Sequence, residues 1–296
     1  EGINFNFQIP PHIIIAIPHA DRMRDLTPTH HKDFATSGGG PDFLRFLEKE
    51  LVPHIDASYR TLPFRVLVGH SLGGLCTLNA MMAPDPAFQA FMAIDSAVWW
   101  DNDLVLARAK ADPSPKKPLN STIYLAWSGV PNPAPKTARA FSSIVKANTA
   151  RGYRTESQVI PAEDHGSVPL ISLYQGLQFI YDGYRPDLRN FEAHPAAITA
   201  HYQRVSNRIH SRLLPPEEIV HRVGAHVQPE QALGYFQLNV ENYPGSVHAW
   251  EALAEACLAK GDRQQANTNY EKALQLDPDN PKIKAALDKV KGDAHN

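Results

Sequence analysis

Residues 66–74 read Val-Leu-Val-Gly-His-Ser-Leu-Gly-Gly, an apolar run that leads directly into a Gly-x-Ser-x-Gly pattern. The segment Phe64–Val68 is typical of a strand, and Leu72–Met82 is rich in Ala, Leu and Met, which favours a helix. A serine on so sharp a strand-to-helix turn exposes its hydroxyl above the sheet, where it can act as a nucleophile. Gly69 and Gly73 are expected to leave room for the bend. The alternative is a glycine-rich turn with a purely structural role.

This turn predicts two of the groups that acyl transfer needs. Ser71 is the expected nucleophile, and the backbone N–H of Leu72 is expected beside its hydroxyl, where it would stabilise an oxyanion. A second oxyanion donor should come from the turn after an early strand. The β-branched run His12–Ile17 predicts that strand, and the N–H of Ala20, directly after His19, is the candidate donor.

A histidine must take the proton from the serine. When the serine stands on such a strand-to-helix turn, that histidine is expected on a loop after the last strand of the sheet. His165 is the only histidine between His70 and His194, and it follows the strand predicted at Thr155–Ile160. The sequence therefore predicts His165 as the base, with an exposed loop histidine as the alternative. His70 is expected to point away from the serine, to pack against the neighbouring loop and to border the substrate pocket.

The acidic partner of the histidine is harder to place. Its usual position is the loop after the strand predicted at Ser121–Trp127, but that loop carries Asn132 and no carboxylate. An asparagine can orient an imidazole and cannot stabilise its cation as a carboxylate does. Asp95 and Asp101 follow the preceding strand and could supply the charge from there. We favour Asp101, and a Ser-His pair without an acid is the alternative.

Trp99 and Trp100 follow the same strand and are candidates for the wall of an acyl pocket, although ordinary packing explains them equally well. The adjacent side chains of His30 and His31 diverge, and no pattern such as His-Glu-x-x-His occurs. The sequence therefore predicts neither a metal site nor a cofactor.

The composition limits the class of protein. The chain has 296 residues, of which 43% are hydrophobic and 20% charged, so it can bury a substantial core and has room for two domains. A net charge of −2 argues against nucleic-acid binding. No apolar run is long enough for a transmembrane segment, which predicts a soluble protein. The chain opens on Glu1, so a preceding signal peptide stays open, and either the cytoplasm or the periplasm would suit it.

The pattern of elements changes along the chain. Up to about residue 184, strand-like and helix-like segments alternate, which predicts a parallel sheet covered by helices on both faces. From Pro195 onward only helical patterns remain. Residues Val247–Pro278 fit the period of about 34 residues of a tetratricopeptide repeat, with an unrelated helical hairpin as the alternative. Asn280–Lys291 is expected to be a capping helix.

Four motifs, in this order, resemble the esterase-D-like esterases, a group of α/β-hydrolases that includes siderophore esterases, feruloyl esterases and S-formylglutathione hydrolase. The motifs are Ile17-Pro-His-Ala-Asp-Arg-Met-Arg-Asp-Leu-Thr-Pro-Thr29, Gly69-His-Ser-Leu-Gly-Gly74, Ala97-Val-Trp-Trp-Asp101 and Glu163-Asp-His-Gly-Ser-Val-Pro169.

The resemblance implies an α/β-hydrolase sheet and ester hydrolysis, with the catalytic serine and histidine at Ser71 and His165. Some siderophore esterases of the group are thought to work with a Ser-His pair, and one branch carries C-terminal tetratricopeptide repeats. The resemblance also implies strands before His12, so the sheet is expected to be truncated at its N-terminal side. The expected domains are a hydrolase domain at 1–186, a connecting helix at 187–213 and tetratricopeptide-like repeats at 214–296.

The expected function is a serine carboxylic ester hydrolase that forms an acyl-enzyme and acts on a small-molecule ester. Two alternatives stay open. The same serine chemistry permits acyl transfer to an alcohol, and a catalytically weak hydrolase fold could serve as an interaction module whose repeats capture a peptide or protein.

Overall fold

The computed structural model describes residues 9–111, 121–130, 135–147, 152–191 and 194–292. The chain forms two compact units, Glu1–Tyr184 and Arg185–Asn296. The first unit combines strands with helices, and the described residues of the second unit contain helices and no strand.

The first unit is built on a parallel sheet of four strands that lie side by side in chain order: β1 (Val66–His70), β2 (Ala90–Ile94), β3 (Thr122–Ser128) and β4 (Arg154–Ile160). All three neighbouring pairs are parallel. Every carboxyl end therefore lies at the same edge of the sheet, which is where open α/β sheets bind their ligands. The predicted α/β fold class is confirmed.

Helices cover both faces of this sheet. One face carries Phe91, Ile123 and Trp127 and packs against side chains such as Leu78 and Phe141. On the other face Gly176 lies so close that an added Cβ would stand 2.3 Å from Met92 Cε. The helices are α1 (Arg22–Leu26), α2 (Gly40–Phe46), α3 (Val52–Ser58), α4 (Leu72–Met81), α5 (Trp100–Ala111), α6 (Pro135–Ala147) and α7 (Val168–Ile180).

The turn between β1 and α4 depends on two close approaches. A Cβ on Gly69 would stand 2.1 Å from the carbonyl oxygen of Gly73, and a Cβ on Gly74 would stand 2.3 Å from Ser96 Oγ. A Cβ on Gly73 would meet no atom within 4 Å. The expectation that Gly73 makes room for the bend is therefore wrong, because it is Gly74 that allows α4 to pack against the end of β2.

The second unit consists of a 3₁₀ turn followed by helices that pack in succession. The 3₁₀ turn is Leu188–Phe191, and the helices are α8 (Pro195–Ile209), α9 (Glu217–His226), α10 (Pro229–Asn242), α11 (Val247–Ala259), α12 (Arg263–Leu276) and α13 (Pro281–Gly292). Helix α8, expected from the sequence to be a connector, lies within this compact unit. Tyr235 on α10 donates a hydrogen bond to the carbonyl oxygen of Phe191 and so ties the 3₁₀ turn to the helices.

The segment predicted as a tetratricopeptide repeat is the helical pair α11–α12. Small and aromatic residues of α12, Ala266, Tyr270 and Ala273, are buried against neighbouring helices. Ser246 caps α11 by accepting a hydrogen bond from Ala249 N–H, and Asp262 caps α12 in the same way from Gln265 N–H. These caps satisfy donors that a helix N-terminus otherwise leaves free.

One local expectation, the early strand, was wrong. His12–Ile17 is not a strand, and the side chain of Ile14 is 84% exposed. A β-branched sequence becomes a strand only if a neighbour satisfies its backbone groups, and among the described residues β1 pairs with β2 alone. Helices α2 and α3 are joined without a break by a π-helical turn at Leu47–Leu51.

The close approach at Gly69 predicts a large difference between two neighbouring glycine substitutions. Gly69→Ala forces a methyl group against a backbone carbonyl, so it should lower the free energy of unfolding of the first unit by at least about 2 kcal/mol. Gly73→Ala is the matched control, and because it adds a methyl group to open space in a helix it should be neutral or slightly stabilising. Urea unfolding followed by circular dichroism measures both, and equal stability of the two variants would contradict this account.

Candidate active site

Ser71 occupies the sharp turn that the sequence predicts. It lies between the last residue of β1 and the first residue of α4, with φ 59° and ψ −118°. A non-glycine residue in this region of φ/ψ space is strained, and such strain is characteristic of functional sites. The backbone is held on both sides, because Ser71 N–H donates to Ile94 O at 3.0 Å and Ala97 N–H donates to Ser71 O at 3.1 Å.

Asp95 is the carboxylate that the structure brings to His165. Its Oδ2 lies 2.7 Å from His165 Nδ1, and its side chain is only 3% exposed. Asp95 directly follows β2, and its φ of 41° turns the carboxylate out of the strand direction. Its N–H still donates to Ala126 O of β3, at 2.7 Å. Asp95 therefore lies at the sheet edge where Ser71 also stands.

Ser128 holds both oxygens of this carboxylate. Its backbone N–H donates to Asp95 Oδ1 at 3.1 Å and its hydroxyl donates to Oδ2 at 2.7 Å. Hydrogen bonds of this kind are needed to keep a charged group in so buried a position. The sequence reasoning missed Ser128, although a serine that ends an otherwise apolar strand beside the expected acid position was a usable signal.

The prediction that Asp101 is the acid is corrected by the geometry. Asp101 Oδ2 accepts a hydrogen bond from the hydroxyl of Thr29 at 2.6 Å, and Asp101 begins a run of three residues with positive φ at the start of α5. This contact ties α5 to the loop after α1, whereas His165 is paired with Asp95. Asn132, in the usual acid loop, lies outside the described residues.

His165 stands on the loop after β4, as the sequence predicts. Its side chain is 51% exposed while the carboxylate that it contacts is buried. The loop is tightened by Asp164, whose Oδ1 accepts hydrogen bonds from the N–H groups of Gly166 and Ser167. Among the described residues, no hydrogen bond joins the Ser71 hydroxyl to the His165 ring; such contacts commonly tighten when substrate binds.

His70 packs against the base, as expected for a residue that faces the neighbouring loop. The centroids of the His70 and His165 rings are 4.3 Å apart. Burial lowers the pKa of His70 below its ordinary 6.5, and the charge of the nearby His165 lowers it further. A hydrogen bond with the His165 backbone and the charge of Asp95 oppose this shift, and Arg22 makes the smallest contribution, which lowers the pKa. The lowered pKa favours the neutral form of His70, whose ring lies against that of His165.

The two oxyanion candidates differ in how closely they are tied to Ser71. Leu72 N–H belongs to the first residue of α4, where backbone donors have no partner within the helix. Ala20 immediately precedes Asp21, which caps α1, and α1 packs against α4. His19 beside it is occupied, because its Nδ1 lies 3.2 Å from Asp25 Oδ2. The role of Ala20 stays a prediction.

The two tryptophans have different environments. Trp100 is fully buried; its Nε1 donates to Thr29 Oγ1 at 3.1 Å, and its ring contacts those of His31 and Phe34. It is part of the core, so its assignment to a substrate pocket is wrong. Trp99 is 45% exposed and stands two residues after Ala97, whose N–H binds Ser71 O. Trp99 therefore keeps its place as a candidate for the pocket wall.

Two features are absent from the described residues. They contain no group of three or more His, Cys, Asp or Glu side chains placed to hold a metal ion. None of their helices combines the length and the apolar character that crossing a membrane requires.

Two parts of the chain are similar to known families. Residues 6–133 match the family model described as "Putative esterase", and residues 247–280 match a tetratricopeptide repeat. The predicted resemblance is confirmed. An IroE-like serine hydrolase from Shewanella oneidensis shares the fold with a TM-score of 0.66 and 26% identity, over 79% of this chain and 80% of that one.

Two curated relatives are siderophore esterases. The chain is 30% identical over 190 residues to the siderophore triacetylfusarinine C esterase of Aspergillus fumigatus, a match that covers 55% of this chain and 65% of the relative. It is 28% identical over 155 residues to the ferri-bacillibactin esterase BesA of Bacillus subtilis, with coverage of 50% and 54%. The chain thus spans less than two thirds of the length of both relatives.

The lowered pKa of His70 predicts how stability depends on pH. Below its ordinary pKa of 6.5 the unfolded chain binds a proton at His70 that the folded chain binds less readily, so stability is lost as the pH falls through that region. His70→Gln should therefore lose less thermal stability than the wild type between about pH 8 and about pH 5. Thermal unfolding at both pH values measures this, with His54→Gln, an exposed histidine on α3, as the control expected to follow the wild type. An unchanged loss in His70→Gln would refute the prediction.

Proposed function

We propose that the chain hydrolyses carboxylic esters through an acyl-enzyme on Ser71. The observation that carries this proposal is the placement of a strained serine elbow and a carboxylate–histidine pair at the carboxyl edge of one parallel sheet. A nucleophile, a base and a group that orients the base form the constellation used in acyl transfer. The match to an esterase family and the siderophore esterase relatives support the same chemistry.

In the first half of the reaction, Ser71 Oγ attacks the carbonyl carbon of the ester while His165 accepts the hydroxyl proton. The imidazolium that forms is stabilised by the buried carboxylate of Asp95, which contacts Nδ1 and so leaves Nε2 to face the serine. The negative charge that develops on the carbonyl oxygen is stabilised by Leu72 N–H, with Ala20 N–H as the proposed second donor.

The second half returns the enzyme to its starting state. The tetrahedral intermediate collapses, the bond to the alcohol oxygen breaks, and His165 gives its proton to the departing alcohol. Water then enters, loses a proton to His165 and attacks the acyl carbon. The acid leaves, and Ser71 regains its proton from the imidazolium. Each proton that the base accepts is returned in the following step.

For the substrate, we propose an ester of the siderophore type. Two curated relatives are named for siderophore substrates, and Trp99 offers an exposed aromatic surface next to the elbow. An aromatic ring in this position suits contact with an extended acyl or aryl group. For the second unit we propose a peptide or protein partner, supported by the tetratricopeptide repeat at 247–280.

Substitution of the nucleophile tests the proposal directly. Ser71→Ala should reduce kcat/KM by at least about a thousandfold on short p-nitrophenyl esters and on a siderophore ester, because the covalent route is removed. Ser96→Ala is the matched control, since Ser96 is a buried serine close to the elbow but outside the proposed mechanism. Release of the free acid, rather than its transfer to an added alcohol, identifies hydrolysis. Ester turnover by Ser71→Ala at the wild-type rate would disprove the function.

A further inference from the structure

The acid and the base of this site belong to strands that are not neighbours. Asp95 follows β2 and His165 lies on the loop after β4, with β3 between them. Adjacent strands of a sheet are about 4.8 Å apart, so the two side chains start from positions separated by roughly 10 Å across the sheet. Their contact at 2.7 Å therefore requires both to turn toward the end of β3.

The last residue of β3 meets the carboxylate at this point. Ser128 is 2% exposed and is paired in register with Ile160 of β4. Its backbone N–H and its hydroxyl bind different oxygens of Asp95. Two donors on two oxygens fix the plane of a carboxylate as well as its position, and Oδ2 is then directed at His165 Nδ1.

The next residue, Gly129, draws in the loop that carries the base. Gly129 N–H donates to Glu163 O at 3.0 Å. An added Cβ on Gly129 would stand 2.4 Å from Pro161 Cα, so only glycine permits this approach. Of the two consecutive residues at the end of β3, Ser128 therefore holds the acid and Gly129 holds the loop that carries the histidine.

We propose that Ser128 is a positioning residue for ester hydrolysis: its hydroxyl sets the carboxylate of Asp95 in the orientation that aligns His165. This role rests on the proposed function. Ser128 occupies the end of the strand after which the acid is usually found, and it lets an acid from the preceding strand serve instead. The hydroxyl matters because it binds Oδ2, the oxygen that contacts His165 Nδ1, whereas the backbone N–H binds Oδ1.

Turnover by a set of variants tests this role. Ser128→Ala should lower kcat roughly tenfold with KM changed less than about twofold, because the loss affects alignment of the base and not substrate binding. Ser128→Thr keeps the hydroxyl and should recover most of the rate. In an Asp95→Asn background, Ser128→Ala should cost less than about twofold, since the carboxylate that it positions is gone. Ser172→Ala, a fully buried serine on α7, is the control expected to keep the wild-type rate.

A spectroscopic measurement separates this inference from the proposed function. The proton on His165 Nδ1 should give a downfield ¹H resonance in ¹⁵N-histidine-labelled protein, assigned by its loss in His165→Gln. Ser71→Ala should retain the resonance and Ser128→Ala should shift or broaden it, whether or not any ester is hydrolysed. The inference is overturned if Ser128→Ala leaves both kcat and the resonance unchanged, or if its cost is equally large in the Asp95→Asn background. If the chain hydrolyses no ester, the effect of Ser128→Ala on the resonance alone decides whether Ser128 positions the carboxylate.

Discussion

The parallel pairing of four strands is the constraint on which the site depends. It brings four carboxyl ends to one edge of the sheet, where Ser71 follows β1, Asp95 follows β2, Ser128 ends β3 and His165 lies on the loop after β4. No two of these residues are close in sequence. The backbone hydrogen bonds between neighbouring strands therefore bring these side chains together, and the helices on the two faces stabilise the sheet.

The acid and the base at this edge of the sheet differ strongly in burial. The carboxylate of Asp95 is almost completely buried and held by donors from Ser128, whereas the ring of His165 is half exposed. A buried carboxylate with fixed donors is already oriented before substrate arrives, so little reorganisation is needed when the imidazolium forms. The exposed side of His165 can meet substrate and water. Pre-oriented charge behind an accessible base suits the proposed acyl transfer.

The sequence predicted the parts of the fold that local patterns control. Gly-x-Ser-x-Gly after an apolar strand located the elbow, and a solitary histidine after the last strand located His165. The sequence favoured Asp101 over Asp95 and was wrong, because the choice depends on a positive φ at Asp95 and on a contact of Asp101 with Thr29 far away in the chain. His12–Ile17 has the composition of a strand, but no strand within the described part of the chain pairs with it, and amino-acid composition does not reveal whether a pairing strand exists.

The most direct test of the central claim compares two carboxylates that both follow β2 and that have different partners in the structure. We expect Asp95→Asn to lower kcat/KM for ester hydrolysis by at least about a hundredfold, because an amide does not stabilise the imidazolium. Asp101→Asn should stay within about threefold of the wild type, since its carboxylate binds Thr29 and not His165. The opposite order, or equal effects of the two substitutions, would contradict the assembly of the site from adjoining strand ends.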